Sequence, residues 1–310
     1  MSNNNSCQLL SHVVYLSGYS IISPIGLVMN SIAIFLFFHM NKMRSPTIVY
    51  MKNLAITDLL LACTIPLKIY SYTVDQSKIS MEVQFWICNI FGSFLLLNMY
   101  GSIFLLTCIS FDRYLAVCFP LRSQRFRQKA AWICVGVWVL NITSCVVSYV
   151  RYTDSYANSS CLDGRPPFVT KTEPTIGAVG IGFLIPLGVI VISSAAMLRS
   201  MEQSQVVQDG LVNKLKVIRM LATNTTIFLL CFLPYHLVLF IYQFMDNCIL
   251  EEAYQFTLLT ACWNTVLDPF AYYFTTDTIR NVVKEEIKAG KKFLDMSDLS
   301  FEKNRPIISS

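Results

Sequence analysis

The stretch of sequence that decides the fold is FWICNIFGSFLLLNMYGSIFLLTCISFDRYLAV, which runs from Phe85 to Val117. It carries no charged side chain before Asp112 and is far longer than an ordinary β-strand. About 20 apolar residues in a helix cross the hydrocarbon core of a bilayer, so this stretch is long enough to cross at a tilt. Because backbone groups in lipid must be hydrogen-bonded within their own segment, we predict a membrane-spanning helix.

Six further apolar blocks of similar length accompany this one along the chain. They are Val13–His39, Thr47–Thr73, Ala131–Val150, Thr175–Leu198, Lys216–Phe244 and Ala253–Phe274. The chain is 54% hydrophobic and only 14% charged, whereas a typical soluble domain is about 25% charged. The prediction is an all-α membrane protein: a seven-transmembrane helix bundle with a short amphipathic eighth helix.

Lysine and arginine residues are distributed unequally between the two sides of this predicted bundle. The segments that follow the odd-numbered spans, together with the C-terminal tail, hold fifteen of them, and the opposite side holds four. Basic residues accumulate on the cytoplasmic side of membrane proteins. We therefore expect an extracellular N-terminus and a cytoplasmic C-terminus. The net charge of +5 is interpreted as an orientation signal, and no nucleic-acid partner is expected.

Ionisable side chains inside apolar spans are costly and often mark a functional site. Asp58 lies in the middle of the second span, and Lys68 follows ten residues later towards its outer end. Other polar residues could converge on Asp58, namely Asn30, Asn98, Ser102 and Asn264. Two interpretations stand equal here: a small-cation site built from oxygen atoms, or a hydrated polar cluster that joins the helices.

Short motifs occur in a fixed order along the spans. They are Gly26 and Asn30, then Asn53-Leu54-Ala55 with Asp58, Cys88, Asp112-Arg113-Tyr114, Trp138, Pro186, Cys231-Phe232-Leu233-Pro234, and Asp268-Pro269 with Tyr272-Tyr273-Phe274. In this order, and over nearly the whole chain, they resemble the motifs of a rhodopsin-like (class A) G-protein-coupled receptor. The finer resemblance is to the branch of purinergic, lysophosphatidic acid and lysophosphatidylinositol receptors. It rests on Asn98-Met99-Tyr100-Gly101-Ser102, on Tyr235-His236 after Pro234, and on aspartate at 268.

The resemblance implies a multi-pass plasma-membrane receptor that is activated by an extracellular acidic amphiphile, foremost a lysophospholipid. Signalling through heterotrimeric G proteins is expected, with arrestin and receptor kinases as further partners. A nucleotide or small carboxylic acid of the same branch is the alternative ligand, and a membrane transporter is the alternative class. No enzyme is expected, because the sequence has no HExxH, nucleophile elbow or phosphate-binding glycine loop. No cofactor is expected beyond a sodium ion.

A basic rim above an apolar shaft suits an anionic amphiphile, and Lys68 resembles the basic residue that lipid-phosphate receptors of this branch use. The expected ligand contacts are Lys68, Tyr72, Leu95, Met99, Tyr100, Arg151, Arg165 and His236. Other roles stay open: Lys68 could extend to the lipid head groups, Arg151 and Arg165 could be solvated, and His236 could be a core histidine. Nucleotide receptors of this branch usually have a cation where this chain has Leu239.

The resemblance also assigns roles below the expected ligand pocket. The sodium site would consist of Asp58, Asn98, Ser102, Asn264 and Asp268, and the switch residues would be Asp112, Arg113, Phe232, Pro234 and Tyr272. Asp112 is expected to pair with Arg113 at rest and to release it on activation.

Four cysteines on the predicted outer side allow three pairings. We expect the bridges Cys88–Cys161 and Cys7–Cys248, and the second of them resembles an extra bridge of receptors in this branch. We also expect glycosylation at Asn4 and Asn158. The expected organisation is an extracellular N-terminus over 1–12, a receptor domain over 13–274, an amphipathic helix over 275–293 and a cytoplasmic tail over 294–310.

Overall fold

Helices and short turns make up the computed structural model throughout the part of the chain that it describes. That part consists of residues 2–39, 45–74, 79–156, 172–203, 214–245 and 248–275. The helical segments follow the order of the seven apolar blocks, which confirms the predicted all-α bundle.

We number the seven spans in chain order. Span 1 is Ser2–His39, span 2 is Pro46–Thr73, span 3 is Met81–Cys118, span 4 is Ala130–Tyr156, span 5 comprises Thr172–Ile176, Gly177–Leu184 and Ile185–Gln203, span 6 is Lys214–Ile241, and span 7 comprises Cys248–Cys262 and Asn264–Thr275. A short helix, Gln124–Arg127, lies between spans 3 and 4.

Within the described residues, spans 1 to 6 are long and apolar enough to cross a membrane. Span 7 is divided at Trp263 into two helices that are each too short to cross alone. At this division the amide of Trp263 donates to the carbonyl of Thr260, three residues earlier and 3.2 Å away. The two pieces together cover the predicted block Ala253–Phe274, so the seventh span is present but interrupted.

The N-terminal half of span 5 contains a π-helix over Gly177–Leu184. The amide of Ile185 donates to the carbonyl of Gly180, five residues earlier. Pro186 follows directly and has no N–H for the ordinary bond four residues back, which favours a widened turn at this point. The wide turn determines which residues of span 5 face span 3.

Span 3 lies at the centre of the bundle and packs against spans 2, 4, 5 and 6. Span 1 packs against spans 2 and 7, while span 4 packs against spans 2 and 3. The indole N–H of Trp138 donates to Asn53 Oδ1 at 2.9 Å, which fixes span 4 to span 2. Polar residues of spans 2, 3 and 7 are thereby enclosed at the middle of the bundle.

Several predictions fall wholly or partly outside the described residues and side chains. They concern Asn4, Asn158, Arg165, Cys7–Cys248, Cys88–Cys161, helix 275–293 and tail 294–310. The remaining cysteines are unpaired, namely Cys63, Cys108, Cys118, Cys134, Cys145, Cys231 and Cys262.

Candidate functional site

The ammonium group of Lys68 is enclosed by aromatic rings near the C-terminal end of span 2. Its Nζ lies 5.0 Å from the ring centre of Tyr72 and 5.8 Å from that of Phe91. Only 6% of Lys68 is exposed. Cation–π contacts of this kind contribute roughly 0.5–2 kcal/mol. Lys68 therefore lies inside the bundle, which disagrees with the alternative of a lysine extended to the lipid head groups.

Span 1 completes this aromatic enclosure. The rings of Tyr19 and Tyr72 are stacked with centres 6.2 Å apart, and Tyr19 meets Phe91 edge-on at 5.9 Å. The Tyr19 hydroxyl is buried without a hydrogen-bond partner among the described residues. Nε2 of His12 lies 2.8 Å from the carbonyl oxygen of Tyr72. Tyr19, Phe91 and His12 were not predicted, because single aromatic residues in apolar spans carry no distinctive signal.

Three of the four polar residues expected around Asp58 meet it in one buried cluster, whereas the amide of Asn30 donates to the carbonyl oxygens of Gly26 and Thr265. The Asn98 amide donates to Asp58 Oδ1 at 2.7 Å, and the Asn264 amide lies 3.4 Å from the same oxygen. Asn264 also donates to Ser102 Oγ at 3.0 Å. These residues and Asp268 are all buried. Spans 2, 3 and 7 are therefore joined through side chains at the middle of the bundle.

Several oxygen atoms of this cluster have no hydrogen-bond partner among the described residues. They are Asp58 Oδ2, Asn98 Oδ1, Asn264 Oδ1 and both carboxylate oxygens of Asp268. Buried oxygens without donors are costly, and hard cations are held by such carboxylate and amide oxygens. The donor set of the cluster therefore fits a sodium ion.

A second feature is a cavity of about 300 Å³ where spans 3, 4 and 5 meet, with span 6 behind it. Spans 4 and 5 contribute mainly small side chains, which leave the space: Asn141, Ser144, Cys145, Ser148, Gly177, Ala178 and Gly182. Leu140 and Ile181 also line the cavity, and both are exposed on the outer surface of the bundle. The cavity therefore opens towards the side that faces lipid.

Predicted ligand residues form the inner wall of this cavity or lie next to it. Tyr100 lines it together with Tyr235, and Tyr100 meets His236 edge-on at 5.9 Å. The His236 ring is stacked on Phe183 at 4.4 Å, and its Nδ1 lies 2.7 Å from the carbonyl oxygen of Phe232. That contact requires the proton on Nδ1, which leaves buried Nε2 as an acceptor without a partner among the described residues.

The other predicted ligand residues are distributed unevenly. Leu95 and Met99 are buried in the core of span 3, close in sequence to Tyr100. Arg151 is exposed near the C-terminal end of span 4, which agrees with the alternative of a solvated charge. Leu239 is 1% exposed and lines the cavity, so the position where a nucleotide receptor would carry a cation is apolar here.

The C-terminal end of span 3 differs from expectation. Asp112 pairs with Arg127 of the short helix, with Oδ1 2.8 Å from Nε and Oδ2 3.3 Å from Nη2. The Thr47 hydroxyl donates to the same carboxylate at 2.8 Å. Asp112 and Arg113 form no ion pair with each other in the described part of the chain. The prediction that they pair is therefore wrong for this conformation. The physical reason is that Arg127 and Thr47 together engage both oxygens of Asp112.

The remaining residues that were predicted as switch residues lie on spans 6 and 7. Phe232 is fully buried and packs edge-on against Phe228 at 5.8 Å. Pro234 lies within the helix of span 6. Tyr272 is buried beside Phe37, with ring centres 5.5 Å apart.

Comparisons with known proteins agree with this architecture. A family model described as 7 transmembrane receptor (rhodopsin family) matches residues 29–272. The chain is 35% identical to lysophosphatidic acid receptor 4 of Homo sapiens, over 98% of this chain and 87% of that receptor. It is 35% identical to lysophosphatidic acid receptor 6 of Homo sapiens, over 88% and 83%. It is 31% identical to a purinoceptor of Gallus gallus, over 84% of each. The chain therefore belongs to the rhodopsin family of seven-transmembrane receptors.

Proposed function

We propose that this chain is a plasma-membrane receptor, with its N-terminus outside the cell, that is activated by a lysophospholipid and signals through heterotrimeric G proteins. The likeness to lysophosphatidic acid receptors 4 and 6, at 35% identity each, supports this. The observation that carries the proposal is Lys68, a buried cation held between aromatic rings near the outer end of the bundle. A phosphate group on the ligand would give this ammonium a charge-assisted hydrogen bond.

The cavity between spans 3, 4 and 5 supports a ligand with an apolar chain. Phe91, which contacts Lys68, and Tyr100, which lines the cavity, are nine residues apart on span 3. At 1.5 Å per residue this is about 14 Å along the helix axis. Leu95 and Leu96 lie between them. An amphiphile with its head group at Lys68 and its chain passing around span 3 fits this separation of charge from apolar lining.

A nucleotide ligand is the second candidate, and the likeness to a purinoceptor favours it. The described part of the pocket favours the lipid. Leu239 lies in the cavity where nucleotide receptors of this branch carry a cation. A diphosphate or triphosphate group needs several cations to replace its hydration, whereas an apolar wall suits an acyl chain.

The head-group role is tested by comparing two lysines that both contact aromatic rings. Lys68→Ala removes the proposed phosphate contact, whereas Lys52→Ala removes a lysine that lies 5.1 Å from the Phe38 ring in the cytoplasmic half of span 2. A lost hydrogen bond to a charged group costs about 1.5–3 kcal/mol. We therefore expect the potency of lysophosphatidic acid to fall about tenfold to a hundredfold for Lys68→Ala and to stay unchanged for Lys52→Ala.

Cell-surface amounts of both variants are measured alongside the dose–response curves, so that a loss of folded receptor is not mistaken for a loss of affinity. A Lys68→Ala curve that overlaps the parent curve at equal surface amounts would refute the head-group role.

The cluster around Asp58 supports a further proposal, that sodium stabilises the resting receptor. Its unpartnered oxygens lie on spans 2, 3 and 7, so a bound cation would hold these three spans together. A ligand that favours another packing of the spans would then compete with sodium through linkage.

A further inference from the structure

Gly182 lies in the π-helix of span 5 directly against the ring of Tyr100 in span 3. A Cβ atom at position 182 would lie 2.6 Å from Tyr100 Cε1 and 3.2 Å from Cδ1. Carbon atoms do not approach this closely without a shift. The absence of a side chain at Gly182 is therefore what allows the Tyr100 ring to occupy its position.

The Tyr100 ring has little freedom to move away from span 5. The ring also meets His236 edge-on at 5.9 Å, and His236 is itself stacked on Phe183 and hydrogen-bonded to the carbonyl oxygen of Phe232. Tyr100 and Gly182 both line the cavity between spans 3, 4 and 5. Because the ring is part of the cavity wall, a side chain at position 182 that pushes the ring aside changes the space inside the cavity.

We propose that the contact between Gly182 and Tyr100 sets the length of acyl chain that the receptor accepts. This inference rests on the proposed lysophospholipid function and adds the residues that determine its specificity. With glycine at position 182, the Tyr100 ring forms part of the cavity wall, and the space beside the ring is available to the end of the acyl chain. Any side chain at position 182 drives the Tyr100 ring into that space and leaves a shorter cavity for the acyl chain.

The same π-helix supplies a matched control. Gly180 lies two residues before Gly182, and a Cβ atom at position 180 would meet nothing within 4 Å. Gly180→Ala and Gly182→Ala therefore change helix propensity alike, in the same segment, whereas only Gly182→Ala displaces the ring. A difference between the two variants reports the contact with Tyr100 and not the loss of a glycine.

The experiment measures G-protein activation by saturated lysophosphatidic acids that differ only in the number of methylene groups. One buried methylene changes affinity about fourfold. For Gly182→Ala we expect the potency of the longest chains to fall about tenfold while that of the shortest chains is unchanged. The Gly180→Ala variant should retain the parent preference.

Tyr100→Leu is the second variant, and it decides the question even if Gly182→Ala fails to reach the cell surface. Removing the ring enlarges the cavity, so the preference should move towards longer chains. In the Tyr100→Leu background, adding Gly182→Ala should have no further effect on chain preference, because the two side chains no longer collide.

The outcomes separate this inference from the function on which it rests. A parent receptor that responds to no lysophosphatidic acid overturns the proposed function and the inference with it. A parent receptor that responds, together with a Gly182→Ala variant that weakens all chain lengths equally, overturns the inference alone. A Tyr100→Leu variant that prefers the same acyl-chain length as the parent receptor also overturns the inference alone.

Discussion

Asn224 connects the N-terminal half of span 6 to span 3. Its amide donates to Ser110 Oγ at 2.5 Å and to the carbonyl oxygen of Leu106 at 3.3 Å. Asn224 and Ser110 are both buried. The first turns of span 6 carry Lys216 and Arg219 and no acidic residue, so they offer no opposite charge to Arg113. We propose that activation moves span 6 away from span 3, and this movement would have to break the bonds of Asn224.

Replacing Asn224 by leucine removes these bonds while keeping an apolar side chain of similar size. A buried hydrogen bond contributes about 0.5–1.5 kcal/mol, so we expect basal G-protein activation to rise about twofold to tenfold without agonist. Thr226→Leu is the matched control, since Thr226 is exposed on the same helix. Basal activity of the Asn224→Leu variant that equals that of the control would show that these bonds do not hold span 6.

Some functional residues could be predicted from the sequence and others could not. Asp58 and Lys68 could be predicted, because an ionisable group in an apolar span is rare and costly. The partners of Lys68 could not, because Tyr19 and Phe91 resemble any other aromatic residue of the core. The predicted partner of Asp112 was wrong: Arg127 lies in a connecting segment whose path over span 3 has no sequence signal.

The presence of each helix could be predicted from the sequence, whereas the local irregularities within the helices could not. Long apolar runs require helices in lipid, and all seven blocks are helical in the described residues. The interruption of span 7 at Trp263 and the π-helix at Gly177–Leu184 depend on single backbone hydrogen bonds. Pro186 announces a disturbance near its own turn. It does not predict that the helix takes the π form, and the π-helix is the segment in which Gly182 lies against Tyr100.

At the scale of the whole molecule, the bundle is closed around one line of polar and charged groups. Lys68 lies near one end of the bundle, the Asp58 cluster in the middle, and Asp112 with Arg127 near the other end. Motif order predicted the Asp58 cluster, since each motif lies on a known span. The cavity between spans 3, 4 and 5 could not be predicted, because it depends on which small residues face one another.

Sodium should weaken agonist binding in this molecule, because it would stabilise the packing of spans 2, 3 and 7 at rest. We expect the affinity for agonist to fall several-fold as sodium replaces a bulky organic cation at constant ionic strength. Asp58→Asn removes the charge that would attract the ion, and its agonist affinity should be independent of sodium. Equal sodium dependence in the parent receptor and the Asp58→Asn variant would contradict the sodium site.

Guanine-nucleotide exchange on a purified heterotrimeric G protein, driven by the receptor reconstituted in lipid vesicles, tests the central claim most directly. Lysophosphatidic acid is compared with a neutral lipid of the same chain and with a nucleoside diphosphate. We predict exchange with lysophosphatidic acid, and neither of the other two should support it. Exchange with the nucleoside diphosphate and none with lysophosphatidic acid would contradict the account.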